Sequence, residues 1–508
     1  MAEQGRSLVT WFEAGASRLC LRRQMALAAG SGALTALGHA PFNLWPLALV
    51  GLAECYALFR IASTLRRTAL LGWSAGAGYF AISLFWIVEP FFVDATTHGW
   101  MAPFALIFLS GGLALFWAGG FGAARALGGG PLAFIAAMAG VELLRSYILT
   151  GFPWALVGYV LAPSPAARFA ALIGPHGLSI IALAIGITLW RLAGPAWRKS
   201  APLALGYALT FLLAALSWPA VPADPAAPVV RLIQPNAPQH EKWDPQHIPA
   251  FFERQLAFTR AQSDTPPDLI VWPETAIPWL LEDAVTPLAM IAEAAAGTPV
   301  VLGLRRTEGL PFYNSLIVLD AEGTQTALYD KHHLVPFGEY MPLGNLLAHW
   351  GIHGLAAEEG QGYSAGPGPR LIDLPGLGSA LPLICYEAVF PQDVNAAPAR
   401  PRVLLQITND AWFGQFSGPY QHLQQARMRA IEQGLPMIRV ANTGISAMIG
   451  PRGHITAQLP LGEAGFTEAP LPPALSPTPY SFTGDLIALF VILLSVTVAY
   501  ATRGPIDH

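Results

Sequence analysis

Three short stretches of this sequence carry side chains suited to catalysis. Cys385 directly follows an apolar, strand-like run at residues 381–384, and Glu274 follows a similar run at residues 271–273. Lys331 lies in a polar loop between them in the chain. Polar residues that directly follow buried strands are positioned for chemistry at the edge of a sheet. A carboxylate, a cation and a thiol are together the groups that acyl transfer through a thioester requires.

The chemistry of each side chain predicts its role. A thiol with an ordinary pKa of about 8.5 is mostly protonated at neutral pH, so Cys385 needs a base or a cation to become a nucleophile. Glu274 can take that proton and return it to the leaving group, and its apolar neighbours predict a pKa raised by partial burial. Lys331, with the backbone N–H after Cys385, would stabilise the oxyanion. Taken alone, Cys385 would be interpreted as a small buried hydrophobe, the usual state of a free cysteine.

The composition divides the chain between a membrane and an aqueous compartment. Its 508 residues exceed one ordinary domain, and 53% hydrophobic residues with a mean hydropathy of +0.45 are too apolar for a wholly soluble protein. A net charge of −4 and a pI of about 6.3, without a basic tract, argue against nucleic acid as a partner. Three widely spaced cysteines indicate neither a disulfide framework nor a metal site.

Apolar segments predict a membrane bundle of about seven helices over residues 25–218, after a cytoplasmic tail at residues 1–24. A last apolar run predicts a C-terminal transmembrane helix over residues 481–502, followed by a cytoplasmic tail at residues 503–508. Because Arg and Lys cluster on one side, the positive-inside rule places the chain between Trp218 and the C-terminal transmembrane helix outside the cytoplasm. Several segments are short, the first is the least secure, and an even number stays open. The segments are residues 25–41, 45–61, 69–88, 102–123, 131–148, 177–192 and 202–218.

Two features of the predicted bundle have alternative interpretations. Glu142 and Arg145 are interpreted first as a structural ion pair on one helical face, and second as a contact to a lipid headgroup. The loop at residues 149–176 is unusually apolar and contains the sequence GFPW at residues 151–154. It either lies at the membrane interface, with its aromatic residues at headgroup level, or is an ordinary packed loop.

The chain after the bundle has the pattern of a soluble α/β domain. A linker rich in Pro and Ala at residues 219–228 precedes a predicted catalytic domain at residues 229–480, which is large enough to bury its own core. Strand-like runs and helical stretches predict a layered sheet domain. The predicted strands are residues 229–234, 269–272, 299–304, 315–319, 380–384, 403–407 and 437–440, and the predicted helices are residues 248–261, 284–296 and 420–433.

The soluble part resembles the carbon–nitrogen hydrolase, or nitrilase, superfamily. The catalytic Glu, Lys and Cys of that superfamily match Glu274 in WPET, Lys331 in YDKHHLVPFGEY and Cys385 in CYE. The resemblance implies an α-β-β-α sandwich with these three residues as its catalytic set. It also implies that Glu339 supports the set by orienting Lys331 or a proton.

Other polar residues near these motifs are expected to have supporting roles. Glu387 and Tyr386 follow the cysteine and are expected to support the site without reacting. Asn314 either hydrogen-bonds to the site or caps a turn. His332 and His333 are interpreted as structural and no metal is expected, because adjacent histidines point apart in a strand and no third ligand has suitable spacing.

The chain as a whole resembles the membrane-bound branch of this superfamily, the apolipoprotein N-acyltransferase family. The resemblance implies transfer of an acyl chain from a phospholipid to the α-amino group of the N-terminal diacylglyceryl-cysteine of bacterial apolipoproteins, by a ping-pong mechanism through a cysteine thioester. It also implies the bacterial inner membrane, a catalytic domain on the periplasmic side, no cofactor and a monomer. The shared stretches beyond the catalytic set are residues 234–236, 243–244, 312–315, 337–340 and 408–413, with residues 151–154 in the bundle.

Three aromatic residues are candidates for contact with the acyl chain. Each has two interpretations: it is part of the core, the default for an aromatic side chain, or it lines the entrance that receives the acyl chain. The three residues are Trp243, Trp412 and Phe413. The resemblance favours a substrate role for Trp243, whereas the two interpretations of Trp412 are evenly balanced.

Two alternative functions stay open. The first is a membrane-anchored amidohydrolase of the nitrilase type, in which water resolves the thioester. The second is a transporter or scaffold with an inactive nitrilase-like domain, which the intact Glu, Lys and Cys set argues against. An enzyme that takes an acyl chain from a phospholipid needs its nucleophile at the bilayer surface, whereas a soluble amidase gains nothing from membrane helices. The predicted bundle therefore favours a lipid donor.

Overall fold

The computed structural model describes residues 7–221, 224, 226–309, 311–342 and 362–503. The chain divides into two compact units, of which the first is Met1–Pro219 with Pro479–His508 and the second is Ala220–Thr478. The ends of both predicted tails, at residues 1–6 and 504–508, lie outside the described residues.

The first unit is built from helices, and each predicted apolar segment overlaps one of them. The predicted N-terminal tail contains the helix Leu8–Arg18, in which the Ser7 side chain accepts a hydrogen bond from the backbone N–H of Thr10. The helix Ala170–Leu192 begins well before the predicted residue 177 and is kinked at Gly174. The other helices are Leu21–Ala36, Trp45–Ile61, Leu65–Ser83, Phe85–Phe92, Ala95–His98, Gly99–Met101, Ala102–Ala126, Pro131–Tyr147, Val157–Leu161, Pro165–Phe169, Trp197–Leu216, Pro479–Thr483 and Leu486–Ala501.

Not all of the predicted spans are long enough to cross a bilayer. By length and apolar composition, three helical segments among the described residues qualify, and a fourth does if the bent pair Leu65–Ser83 and Phe85–Phe92 counts as one span. A helix such as Trp45–Ile61 has 17 residues, whereas a bilayer needs about 20. The number of crossings therefore stays a prediction. The three qualifying segments are Ala95–Ala126, Pro165–Leu192 and Trp197–Leu216.

Most of the apolar segment at residues 149–176 is packed inside the first unit, although Leu149 at its start is exposed. Trp154 is 0% exposed, and its ring centroid lies 4.5 Å from that of Trp86. Trp154 is therefore a core residue of the first unit, as the packed-loop alternative predicts, and the position of the segment relative to a membrane stays a prediction. Arg145 Nη1 donates to the carbonyl oxygen of Trp154 at 2.8 Å, and Glu142 accepts from the backbone N–H of Val157 at 3.0 Å. The buried Glu142 and Arg145 pair thus holds the loop, as its structural interpretation predicted.

Two six-stranded sheets make up the second unit within the described residues. The strands are β1 Val229–Gln234, β2 Leu269–Val271, β3 Val300–Thr307, β4 Phe312–Leu319, β5 Gln325–Asp330, β6 Ile372–Leu374, β7 Gly378–Ile384, β8 Val403–Thr408, β9 Met437–Ala441, β10 Ser446–Ile449, β11 Ile455–Leu459 and β12 Gly465–Pro470. The first sheet has the order β12-β1-β2-β3-β4-β5 and the second has the order β11-β10-β9-β8-β7-β6. In each sheet three central strands are parallel and their neighbours are antiparallel.

Helices pack on one face of each sheet, and the other faces meet. The helices Ile248–Arg260 and Val285–Ala295 form one apolar core with the first sheet, and Gly418–Gln433 forms another with the second. Ile233 of β1 belongs to the first core, whereas the next residue, Gln234, accepts a hydrogen bond from the backbone N–H of Ser446 in β10 at 3.0 Å. Because side chains alternate along a strand, β1 faces a helix layer on one side and the second sheet on the other.

The predicted strands are all present, but five further strands were not predicted. These five are β5, β6, β10, β11 and β12. β11 alternates between half-buried and exposed residues, and β6 has only three residues. The central strands β7 and β8 are almost entirely buried, so they appear as continuous apolar runs, whereas outer strands do not.

Candidate active site

Glu274 lies in a tight turn directly after β2. Trp272, at the end of the apolar run, is fully buried, and its Nε1 donates to Thr259 Oγ1 at 3.0 Å. Gly303 of β3 lies against the turn: its N–H donates to the carbonyl oxygen of Pro273 at 3.1 Å, and its carbonyl accepts from the N–H of Ala276 at 2.7 Å. The turn is therefore attached to the sheet on both sides of Glu274, whose side chain is buried.

Lys331 follows β5 and is buried beside two acidic side chains. Its Nζ donates to Glu339 Oε1 at 2.8 Å and lies 3.7 Å from Glu274 Oε1. Asn314 of β4 connects the two acids, because its Nδ2 donates to Glu274 Oε1 at 2.7 Å and to Glu339 Oε1 at 3.2 Å. The other oxygen of Glu339 accepts from the backbone N–H of Val335 at 2.8 Å. Asn314 therefore hydrogen-bonds to the site, which is the first of the two interpretations given for it.

Cys385 sits at a sharp turn where β7 ends. It adopts a left-handed backbone conformation with φ of 52°, which is uncommon for a residue other than glycine. Its carbonyl oxygen accepts from Gln406 Nε2 at 3.2 Å, and its side chain lies within the electrostatic influence of Glu274 and Lys331. Strained conformations of this kind persist only where the surroundings hold them in place.

Glu387 supplies much of that support from a fully buried position. Its Oε2 accepts from the backbone N–H of Ile384 at 2.6 Å, immediately before the cysteine. Its Oε1 accepts from Tyr329 Oη at 2.9 Å and from the backbone N–H of His332 at 2.8 Å. Glu387 thus ties the turn that carries Cys385 to the loop that carries Lys331. The ring of Tyr386 is buried beside His333.

The charges of the cluster determine which groups hold protons. Burial raises the pKa of Glu274, and the neighbouring Lys331 partly opposes this. Burial by itself would lower the pKa of Lys331, but the carboxylates of Glu339 and Glu274 outweigh it and raise that pKa. Burial and the charge of Glu274 raise the pKa of the Cys385 thiol. The thiol is therefore protonated at rest, and a base must remove its proton when it reacts.

The three candidate aromatic residues have different surroundings. The half-buried ring of Trp243 lies under two cations, with Lys242 Nζ at 4.9 Å and Arg305 Cζ at 5.0 Å from its centroid. Phe413 is buried, with its ring 5.6 Å from that of His422. Trp412 is half-buried. Phe413 therefore has the packing of a core residue, and Trp243 and Trp412 retain surface for a ligand.

The two adjacent histidines do not point apart as the sequence suggested. His333 Nδ1 lies 2.7 Å from Asp393 Oδ2, and His332 Nε2 lies 3.5 Å from the same oxygen. The expectation that no third ligand has suitable spacing is therefore wrong, because Asp393 places one carboxylate oxygen near both rings. Burial alone would lower the pKa of His332, but Asp393 and Glu387 raise it to about 9. At neutral pH His332 is thus a cation paired with carboxylates, which fits the structural role expected for it.

Sequence reasoning missed a second polar cluster beneath the cysteine. Asp410, the second residue after β8, lies 2.8 Å from His422 Nδ1 and accepts from Arg439 Nη2 at 2.6 Å. One atom each from Cys385, Asp410 and His422 lie within 4.8 Å of one another. A search for an acidic residue within a few positions of the end of a buried strand, which finds Glu274, would also have identified Asp410.

Sequence reasoning also missed Lys242. Its buried Nζ donates to Thr275 Oγ1 at 2.8 Å and to the carbonyl oxygen of Glu274 at 3.2 Å. The sequence contains three lysines, Lys199, Lys242 and Lys331, and two of them lie beside Glu274. Because lysine is rare in this sequence, each lysine in the catalytic domain was a candidate site residue, and this could have identified Lys242.

The second unit has the fold of the carbon–nitrogen hydrolases, with an acid, a lysine and a cysteine brought together where strands of two sheets end. Residues 230–478 match the family described as Carbon-nitrogen hydrolase. Residues 31–188 match the Apolipoprotein N-acyltransferase N-terminal domain.

Relatives extend the match over nearly the whole chain. An apolipoprotein N-acyltransferase of Bradyrhizobium diazoefficiens is 40% identical over 94% of this chain and 95% of its own length. An apolipoprotein N-acyltransferase of Caulobacter vibrioides is 38% identical over 94% of this chain and 94% of its own length. This chain belongs to the apolipoprotein N-acyltransferase family. Among solved structures, an amidase from Nesterenkonia is 20% identical over 49% of this chain and 92% of its own, with a TM-score of 0.37.

Proposed function

We propose that this protein transfers an acyl chain from a phospholipid to the α-amino group of the N-terminal diacylglyceryl-cysteine of apolipoproteins, through a thioester on Cys385. The observation that carries the proposal is the buried cluster of Glu274, Lys331, Glu339 and Asn314 beside Cys385, in a chain of this family. The cluster combines a base, a fixed cation and a nucleophile on rigid strand ends.

In the first half-reaction Glu274 accepts the thiol proton while the Cys385 sulfur attacks the ester carbonyl of the phospholipid. Negative charge develops on the carbonyl oxygen, and Lys331 stabilises it as an ammonium donor. When the intermediate collapses, the bond to the glycerol oxygen breaks and Glu274 returns the proton to that oxygen. A lyso-phospholipid leaves, and the acyl chain stays on Cys385 as a thioester.

In the second half-reaction the neutral α-amine of the acceptor attacks the thioester carbonyl. Glu274, now a carboxylate again, takes the proton that the amine loses as the amide bond forms. The bond to sulfur breaks, and the departing thiolate recovers that proton, which regenerates the resting site. Glu339 and Asn314 hold Lys331 and Glu274 in position through both steps.

We assign the substrate surface to Trp243 and Trp412, which are half-buried, and leave Phe413 to the core. Rigid aromatic rings offer apolar area to an acyl chain at a low cost in conformational entropy. Replacement of Trp243 by alanine should raise the phospholipid concentration needed for half-maximal acylation, whereas Phe413→Ala should mainly lower the thermal stability. An unchanged concentration dependence in Trp243→Ala would contradict the assignment.

The helical unit is proposed to be a membrane bundle in the bacterial inner membrane, with the catalytic domain on the periplasmic side. The apolar helices and the distribution of Arg and Lys support this arrangement. A reporter fused after Trp218 should give a periplasmic signal, and one fused after Arg503 a cytoplasmic signal. A cytoplasmic signal after Trp218 would mean that one of the predicted spans is wrong.

Product analysis separates acyl transfer from hydrolysis. The purified protein is incubated with phospholipid, with and without a diacylglyceryl-cysteinyl peptide. The proposal expects one lyso-phospholipid for each N-acylated peptide, and little free fatty acid when the peptide is absent. A membrane-anchored amidohydrolase would instead release free fatty acid at the same rate with or without the peptide, and that result would overturn the proposal.

A further inference from the structure

The turn that carries Glu274 is also contacted by a buried lysine, Lys242. Lys242 Nζ donates to the carbonyl oxygen of Glu274 at 3.2 Å and to Thr275 Oγ1 at 2.8 Å. Thr275 has a left-handed backbone with φ of 44°, an outlier for a β-branched residue. Because such a conformation needs external support, the two bonds from Lys242 help to fix the turn, which Gly303 also holds through two backbone hydrogen bonds.

Lys242 is itself held in one place by its neighbours. The ring of Trp243 lies beneath its ammonium group, and Arg305 lies over the same ring. Arg305 Nη2 donates to the carbonyl oxygen of Pro278, a few residues beyond Glu274 in the same loop. The ammonium group therefore sits at a defined distance from the Glu274 backbone, and both groups are shielded from water, where charges interact strongly.

We propose that Lys242 is a positioning residue for Glu274: it fixes the turn through two hydrogen bonds and supplies a second positive charge that keeps Glu274 ionised as the base. This inference rests on the proposed function. Lys331 faces the reacting atoms, whereas Lys242 acts on the backbone behind Glu274. Of the two buried lysines, Lys331 would thus stabilise the oxyanion, and Lys242 would position the base and keep it ionised.

The titration of the surrounding groups is consistent with this role. Burial lowers the pKa of Lys242 to about 7, and the charge of Glu274 opposes that change. Lys242 is therefore protonated under acidic conditions, which is the range in which Glu274 gains its own proton. The positive charge of Lys242 lowers the pKa of Glu274, against the larger effect of burial. The charged or titratable groups near Glu274 are Lys331, Glu339, Lys242, Cys385 and Tyr363, and those near Lys242 are Glu274 and Arg305.

The test is the pH dependence of Cys385 acylation in a single turnover with phospholipid and no acceptor. Acylation requires ionised Glu274, so its rate falls on the acid side with a midpoint that follows the pKa of Glu274. Lys242→Met should acylate about 10- to 100-fold more slowly, the range for a lost hydrogen bond to a charged group. Its acid-side midpoint should move to higher pH, because a charge that favours the carboxylate is gone.

Two further variants separate the hydrogen bonds from the charge. Lys242→Arg keeps the charge and should retain the wild-type midpoint. Lys242→Gln can donate to the Glu274 carbonyl but is neutral, so it should show the raised midpoint with a smaller loss of rate. It also serves in place of Lys242→Met if that variant does not fold. Lys199→Met, at the exposed third lysine, is the matched control and should change neither quantity.

A wild-type midpoint in both Lys242→Met and Lys242→Gln would overturn the inference, whatever their rates, because a purely structural lysine would leave the titration of Glu274 unchanged. A failure of the proposed function has a different signature. In that case the wild-type protein itself would form no adduct on Cys385 at any pH.

Discussion

Replacement of Gly303 by alanine should displace the Glu274 turn without removing any catalytic group. The added Cβ would lie 2.7 Å from Glu274 Cα, from the carbonyl oxygen of Pro273 and from the backbone nitrogen of Thr275. Ordinary carbon contacts begin at about 3.5 Å, so one backbone must move by about 0.8 Å. All three contacts are backbone atoms that hydrogen bonds tie to the sheet, so no flexible side chain can give way.

The expected loss follows from the size of this shift. A misplacement of about 1 Å commonly costs about 100-fold in rate, so Gly303→Ala should acylate Cys385 about 30- to 100-fold more slowly in a single turnover. Overpacking should also lower the free energy of unfolding by about 1–3 kcal/mol. The rate is measured by mass spectrometry of the protein quenched at intervals after phospholipid is added, and folding is checked by thermal unfolding.

A glycine in the same sheet provides the control. In Gly465→Ala, within β12, the new Cβ would meet only Leu459 Cδ2 at 3.5 Å, which is an ordinary contact. Gly465→Ala should therefore acylate at the wild-type rate. If folded Gly303→Ala acylates within twofold of wild type, the position of the Glu274 turn does not govern acylation, and the argument for a fixed base fails.

Two further predictions concern stability and the other thiols. The pKa of His332 is raised from 6.5 to about 9 by Asp393 and Glu387, against the effect of burial. A raised pKa stabilises the fold fully below 6.5, and this stability is lost as pH rises through 9. The rise corresponds to about 3 kcal/mol, which solvent screening of a partly exposed group reduces to about 1–2 kcal/mol. The unfolding free energy of wild type should fall by that amount over this range, and a His332→Asn variant that falls equally would refute the ion pair. Replacing Cys20 and Cys55 together by alanine should leave the acylation rate unchanged, and a large loss would mean that Cys385 is not the only thiol involved.

The sequence predicted several strands that are buried on both sides, although it missed the fully buried β10. Continuous apolar runs identified β7 and β8, and the residues that follow β2 and β7 are Glu274 and Cys385. These signals are local, since a buried strand must be apolar and the chemistry must begin where it ends. The order of the strands in each sheet and the pairing of β12 with β1 depend on contacts across long stretches of chain, which local patterns do not record.

The partners of the site residues were also beyond local patterns. Lys242 meets Thr275 across 33 residues, and Glu387 meets Tyr329 across 58. No spacing rule connects such pairs, because only the fold brings them together. The histidines show the same limit, since Asp393 approaches both of them from a separate helix.

The central claim is that Cys385 carries the acyl group, and a direct measurement is the mass of the purified protein after incubation with phospholipid and no acceptor. We expect a gain of one acyl chain on the peptide that contains Cys385, released by hydroxylamine and absent from Cys385→Ala. Glu274→Gln should form no adduct, and Lys331→Met should lose about 3–4 kcal/mol of stabilisation of the oxyanion. An adduct on another residue would contradict the claim. Acylation of Glu274→Gln at the wild-type rate would move the role of the base to Glu339 or Glu387.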